Sequence, residues 1–390
     1  MYYGRPDFQH SERPAVGVLV ANLGTPDAPD APALRRYLRE FLLDPRVIEI
    51  PRLLWWIILH LFILTTRPAK SAALYRKIWW QEGSPLLVIS RRQAAALQGV
   101  LQRQAGTPVH VALGMRYGNP SIRSALRELS EKGCRRILIL PLYPQYAGAT
   151  VGSTFDAVAA ELATWRWVPE IRTIHCYHDD PAYIRVLAAS IREVWAQGGA
   201  DGGPAEKLLF SFHGIPQRYF EAGDPYFCQC HKLARLTAEE LGLPRDRWEV
   251  TFQSLFGKEE WIKPYTDKTL KAMASSGIRS LDVVCPGFSA DCLETLEEID
   301  GENREIFLHA GGERYRYIPA LNDRPDHIEA LAELIRRNLQ GWVEAPGAWN
   351  EEAERAAVDL TAGRAAAMKA TPPRVDGGYG GPREVESSRL

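Results

Sequence analysis

Seven short runs of almost wholly apolar residues, each ending in glycine, proline or a polar side chain, constrain this chain more than any other feature. They are VGVLVANLG (16–24), VHVALGMRYG (109–118), RRILILPLYP (135–144), IRTIHCYH (171–178), KLLFSFHG (207–214), WEVTFQSLFG (248–257) and LDVVCPG (281–287). A strand covered on one face alternates apolar and polar residues. A strand covered on both faces does not, and such strands belong to parallel sheets lying under helices. The stretches between the runs have a helical period, as in SIRSALRELSEKG (121–133) and TDKTLKAMASSG (266–277). Strands alternating with helices predict an α/β fold.

The motifs also repeat in order. NLGTP (22–26) answers FHGIP (212–216), VALGMRYG (111–118) answers FQSLFG (252–257), and GCRRILILPLY (133–143) answers GIRSLDVVCPGF (277–288). The pattern predicts two similarly folded halves with a ligand cleft beyond the carboxyl ends of their strands. Leu23 and His213 are then counterparts, as are Ala149 and Glu294. One half offers apolar walls where the other offers titratable groups. The predicted organisation is an N-terminal arm (1–13), a first half (14–190), a second half (191–343) and a flexible tail (344–390). The tail ends in TPPRVDGGYGGPREVESSRL, which is too poor in apolar residues to order itself.

Composition narrows the function. Lys and Arg number 47 against 48 Asp and Glu, so no broad basic surface exists and nucleic acid is not an expected partner. No run approaches the ~18 apolar residues that a membrane span needs. The polar start MYYGRPDFQHSERP lacks the apolar core of a secretory signal. Six scattered cysteines in 390 residues read as reduced thiols, which predicts a cytoplasmic protein. Eleven Trp and fifteen Tyr predict broad apolar faces with polar handles.

Several residues could carry chemistry. His213 closes the strand LLFSF ahead of Gly214, where a base or metal ligand near neutral pH would sit, although a His there can also merely bond a loop. Asp291 and Glu294 have capping-box spacing. Yet Glu294, Glu298 and Glu302 also recur every four residues, a repelling stripe suited to solvation or to handling cations and protons. LLWWIILHLFIL (53–64) is apolar all round except for His60 and has Arg52 on one side and Arg67 and Lys70 on the other. It reads as buried core, or as a lip touching a membrane surface or a flat apolar ligand. Cys228, Cys230 and His231 lack a second pair at zinc spacing. His175, His178, Asp179 and Asp180 sit where a strand ends, so a structural role is expected for both clusters. Tyr143, Gln145 and Tyr146 place aromatic and amide groups at a further strand end.

Together, LVANLGTP, YRKIWWQEGSPL (75–86), GMRYGNP (114–120), LPLYPQYAGATVGS (140–153), SFHGIP (211–216), GDPYFCQC (223–230) and PGFSADCLETLEEI (286–299) resemble the ferrochelatase family over roughly 14–340. The resemblance implies two Rossmann-like, chelatase-type halves around a cleft. It also implies insertion of ferrous iron into protoporphyrin IX or coproporphyrin III to give heme. His213 and Glu294 match the family's catalytic and metal-meeting residues, and Glu298 and Glu302 its acidic proton or metal path. Leu23, Tyr75, Ser84, Arg116, Tyr117, Tyr143 and Trp261 fall on or beside the porphyrin pocket, and Arg67 lies near a position that meets propionates. Segment 53–64 corresponds to the lip, with peripheral contact to the cytoplasmic membrane. Iron is then a substrate, and no tightly bound cofactor is expected. Some members carry a [2Fe-2S] cluster on cysteines near the C-terminus, but this chain has no Cys after Cys292.

The chemistry agrees. Two pyrrole protons must leave before a divalent metal enters, and the flat ring must be gripped and bent by binding energy. That calls for apolar walls, a base near neutral pH, a carboxylate with a proton outlet, and cationic or hydroxyl partners for the ring's carboxylates, for which Arg67, Tyr75 and Ser84 are candidates. A porphyrin carrier would want a tight axial ligand and no acidic stripe. A cobalt or nickel chelatase would use similar ligands.

Overall fold

The computed structural model describes residues 2–5, 14–104, 107–197, 203–255, 257, 259–343 and 350–370. Strands β1 (Ala15–Thr25), β2 (Val109–Gly118), β3 (Cys134–Pro141) and β4 (Glu170–Thr173) form one sheet; β5 (Lys207–His213), β6 (Trp248–Gln253), β7 (Ser280–Val284) and β8 (Arg314–Ile318) form another. The first has the order β2-β1-β3-β4 and the second β6-β5-β7-β8, with every pairing parallel. The same order in the same succession bears out the repeat of motifs.

Alternation along each strand explains the apolar runs. Val18 and Val20 enter a core that also holds Phe210, Phe212 and Val250, whereas Leu19 points to the opposite face with Leu126, Ile137 and Val158. In the second sheet Leu209, Leu281 and Val283 pack on the outer helices with Leu270 and Phe307. Both faces of each sheet are therefore covered. Several strands stop earlier than their apolar runs. β3 ends at Pro141 and β4 at Thr173, short of 144 and 178, and beyond them Leu142, Ile174 and Tyr177 still enter the shared core.

One compact unit holds both sheets and their helices. The predicted border at 190 falls inside the helix Pro181–Gln197, whose Tyr183, Leu187 and Ile191 belong to the core shared by the two sheets. Of the predicted arm, the N–H of Tyr3 donates to the Thr164 carbonyl at 2.7 Å and its ring meets Trp165 at 5.1 Å; residues 6–13 lie outside the described set. Part of the predicted tail is ordered. Glu351–Ala370 is a helix, in a second unit of its own. Its alanine-rich sequence has strong intrinsic helix propensity, which outweighs its lack of a buried face. Residues 344–349 and 371–390 lie outside the described set.

Candidate active site

His213 is the last residue of β5 and pairs in register with Gln253, the last residue of β6. The N–H of Gly214 donates to the Gln253 carbonyl at 2.8 Å. A Cβ at 214 would come within 3.0 Å of the Trp261 ring and 3.1 Å of that carbonyl, so glycine lets the indole close over the strand end. The His213 and Trp261 rings are 6.2 Å apart. His213 Nδ1 lies 2.6 Å from the Gly214 carbonyl oxygen. A carbonyl can only accept, so in the neutral ring Nδ1 carries the proton and Nε2 keeps its lone pair.

The acidic stripe lies on a π-helix, Glu294–Asn303, rather than on the α-helix that its spacing suggested. Bonds to the fifth residue widen the turn, yet side chains four apart still share a face. The stripe runs outward, from half-buried Glu294 and Glu298 to exposed Glu302. The capping box does not form. Asp291 accepts from Tyr317 Oη at 2.6 Å, Asn322 Nδ2 at 2.7 Å and Thr295 Oγ1 at 3.0 Å, and it is Thr295 Oγ1 that accepts the Cys292 N–H at 2.9 Å. Glu294 is thus left to the cleft.

Two residues that sequence reasoning missed hold this helix. Gln253 donates from Nε2 to the Glu294 carbonyl at 3.0 Å and, more distantly, to Glu298 at 3.4 Å. Its own Oε1 accepts from Ser211 Oγ at 2.7 Å. Ser254 offers Glu298 both its N–H, at 2.7 Å, and its hydroxyl. It does so from a left-handed backbone, φ 64°, which non-glycine residues adopt rarely. Burial pushes the Glu298 carboxyl above the usual carboxylate range, opposed by the Ser254 hydrogen bonds and His213 and reinforced by Glu294. The signal available was a Gln-Ser pair at the end of the strand WEVTFQ.

Facing these groups is the first half. Tyr37, Tyr75 and Tyr143 are phenols whose ionisation is opposed by burial first and also by the Glu294 charge. Burial, and then the Glu294 charge, push the Cys292 thiol well above its usual range. Leu23 packs with Tyr75, Tyr117 and Leu293, so the wall offered by the first half touches the segment leading into the π-helix. The counterpart relation holds as well: Ala149 lies in the π-helix Gly148–Gly152 after β3, as Glu294 does after β7. Tyr143 Oη is buried with no hydrogen-bond partner.

The remaining expected pocket residues divide. Ser84 is buried and accepts from Thr25 Oγ1 at 2.8 Å, and Tyr75 is buried in a cluster with Tyr37, Ala72 and Tyr117. Both residues are therefore buried rather than set at an exposed rim. Arg116 and Tyr117 are held by Asp44, which sequence reasoning also missed. Tyr117 Oη donates to Asp44 Oδ2 at 2.8 Å, Arg116 Nη2 to the same oxygen, and Arg116 Nε to Ser153 Oγ at 2.6 Å. Burial pushes the Asp44 carboxyl up, but hydrogen bonds from Ser153, Arg46 and Tyr117 with the Arg116 charge outweigh it and hold it below the usual range. Arg67 stands on the exposed side of the helix Leu64–Ile78.

Segment 53–64 is not sealed core. Trp55, Leu59 and Leu64 are buried with Leu42, but Leu53 is 77%, Trp56 51%, Leu61 62% and Phe62 64% exposed. Among the described residues no helix is long and apolar enough to cross a membrane. The two other clusters have structural roles. Cys230 is buried and Cys228 exposed, so they face apart on their helix. Gln229 accepts the Tyr146 N–H and Asp224 the Gly148 N–H, each at 2.7 Å, which binds the motif to the first half. Asp179 pairs with Lys232 at 2.6 Å and Asp180 with Arg337.

The family model for ferrochelatase matches residues 15–339. Ferrochelatase from Thioalkalivibrio sulfidiphilus strain HL-EbGR7 is 58% identical over 367 residues, covering 94% of this chain and 98% of the relative. The chain belongs to the ferrochelatase family. Ferrochelatase from Nitrosococcus oceani is 54% identical over 369 residues, covering 95% and 99%. Among solved structures, the sirohydrochlorin chelatase SirB from Bacillus subtilis subspecies spizizenii in complex with cobalt is similar with a TM-score of 0.47 at 11% identity, covering 83% of this chain and 94% of that one.

Proposed function

We infer that this chain inserts ferrous iron into a porphyrin, with release of the two pyrrole protons, in the last steps of heme biosynthesis. The observation that carries the reading is the juxtaposition at Glu294. A carboxylate at the inner end of an outward acidic stripe faces the buried aromatic wall of the other half, with His213 at the neighbouring strand end. His213 Nε2, free of the Gly214 bond, accepts one pyrrole proton. Glu294 meets the ion and the second proton, and Glu298 and Glu302 pass protons toward solvent. Among the described residues no group of three His, Cys, Asp or Glu side chains gathers to hold a metal. The ion that Glu294 meets takes its remaining ligands from the ring nitrogens, and His213 Nε2 can ligate it only before taking a proton.

Leu23 and Tyr143 from one half and Trp261 from the other grip the macrocycle, with fully buried Tyr117 backing Leu23 from beneath, and the exposed lip covers it. Arg67, on the lip's helix, is the candidate for a ring carboxylate. Arg116 acts at one remove, through Asp44 and Tyr117. The reading is tested by a turnover panel on purified protein, with ferrous, cobaltous, nickel and zinc ions against protoporphyrin IX and coproporphyrin III. Ferrous iron should be inserted into at least one porphyrin. Failure with every pair removes the reading, and turnover with cobalt or nickel but not iron replaces it with a related chelatase.

The lip should separate two effects within one segment. Leu59→Ala empties a buried position and should cost about 2–5 kcal/mol, visible as a lower melting temperature. Trp56→Ala and Phe62→Ala should leave the melt nearly unchanged and instead raise the porphyrin KM or weaken binding to liposomes. A large drop in melting temperature for Phe62→Ala, with unchanged KM and liposome binding, would contradict the lip.

A further inference from the structure

Residues 44–78 carry the lip, and both ends of this segment are tied by charge to the opposite half. At the far end Lys77 Nζ lies 2.8 Å from Glu297 Oε1. Glu297 is on the π-helix, between Glu294 and Glu298, and its side chain is only 14% exposed. At the near end Arg218 Nη1 pairs with Glu49, and Tyr219 Oη donates to the Val47 carbonyl at 3.4 Å. Arg218 also pairs through Nε with Glu259, which lies between Ser254, the Glu298 clamp, and Trp261, the neighbour of His213. Each end of the lip segment is therefore fastened to an element that carries or braces a catalytic candidate. Between the two fastenings lies the open apolar stretch from Leu53 to Phe62, followed by the polar outer face of the helix Leu64–Ile78.

We propose that Lys77 and Arg218 are positioning residues that clasp the lip-bearing segment to the elements holding Glu294 and His213, so that a ring gripped by the lip is set in register with them. Neither side chain needs to touch the porphyrin. The helix Leu64–Ile78 carries Tyr75 on its inner face beside Glu294 and Lys77 two residues on, so a shift of this helix moves the wall and the carboxylate relative to one another. Arg218 and Glu49 are open to water, and so is the Lys77 end of the other pair; pairs that water screens in this way, and whose long side chains lose freedom, contribute little to global stability. The clasps can therefore break and re-form as the ring enters and leaves without unfolding anything. The inference rests on the porphyrin reading above.

The test uses full-length protein with ferrous iron and the porphyrin that the panel selects. Lys77→Met, Glu297→Gln and the exchange Lys77→Glu/Glu297→Lys are compared with wild type at low ionic strength and at about 0.5 M neutral salt, where screening acts within a few ångströms. Each single variant should lower kcat/KM by about two- to fivefold at low salt, the range an exposed pair supports, with an unchanged melting temperature. The exchange should recover most of the loss, and high salt should bring wild type down to the single variants. Arg218→Met and Glu49→Gln should behave alike at the other clasp. Single variants equal to wild type at low salt, or a difference that persists undiminished in high salt, would overturn the proposal. An exchange that fails to recover while the singles also lower the melting temperature would assign the pair a merely structural role and overturn it too. An inactive wild type would instead remove the porphyrin reading, a result distinct from active wild type with indifferent variants.

Discussion

His213→Ala will give a folded protein that does not insert metal. The imidazole is half-buried at the carboxyl end of β5, and its described hydrogen bond goes to the adjoining Gly214 carbonyl. The strand itself is anchored by Phe210 and Phe212, both fully buried. Removing the ring therefore takes away little that holds the fold, and the melting temperature should move by no more than a partly exposed substitution usually causes, within about 0.5 kcal/mol. What it removes is the Nε2 lone pair at the strand end. A positioned base contributes about 10²–10⁴-fold, so kcat should fall by at least about a hundredfold. Turnover within a few-fold of wild type would show that another group takes the pyrrole protons.

Glu294→Gln will separate charge from shape in the same way. The amide has the carboxylate's size, and no capping interaction depends on Glu294, since Asp291 and Thr295 organise the start of the π-helix between themselves. Stability should hold, while kcat should drop by about a hundredfold or more because the amide cannot take up the proton. Glu298→Gln should lower turnover less, because water can bridge a gap in the stripe. Wild-type activity in Glu294→Gln would end its assignment as a chemical group.

Much of this architecture could be read before any coordinates. Strands buried on both faces write themselves as unbroken apolar runs, so the two sheets, their parallel pairing and the correspondence of Leu23 with His213 followed from local text. Residues that act through distant partners did not show themselves. Asp44 lies over 70 positions from Arg116 and 109 from Ser153, and nothing in RRYLREFLLDPR marks it as the anchor of that network. Gln253 and Ser254 reach Glu298 across 45 and 44 positions. The π-helix was illegible for another reason: spacing by four suits a wider turn as well as an α-helix, and only the packing around Glu294 decides between them. Ser84 and Tyr75 were expected to meet the ring's carboxylates, but Thr25 offers Ser84 a partner inside and Tyr75 is buried with Tyr37.

The lip also governs how the empty protein behaves in a crowd. A surface with five large apolar side chains more than half in solvent, Leu53, Leu54, Trp56, Leu61 and Phe62, is adhesive toward detergents, lipids and other copies of itself. Salts that are excluded from protein surfaces strengthen such attractions. Colloidal solubility should therefore track occupancy: the ligand-free enzyme self-associates as concentration and sulfate rise, and a bound macrocycle disperses it. Light scattering with and without porphyrin would follow that change, and it makes substrate supply a determinant of how much enzyme stays in solution.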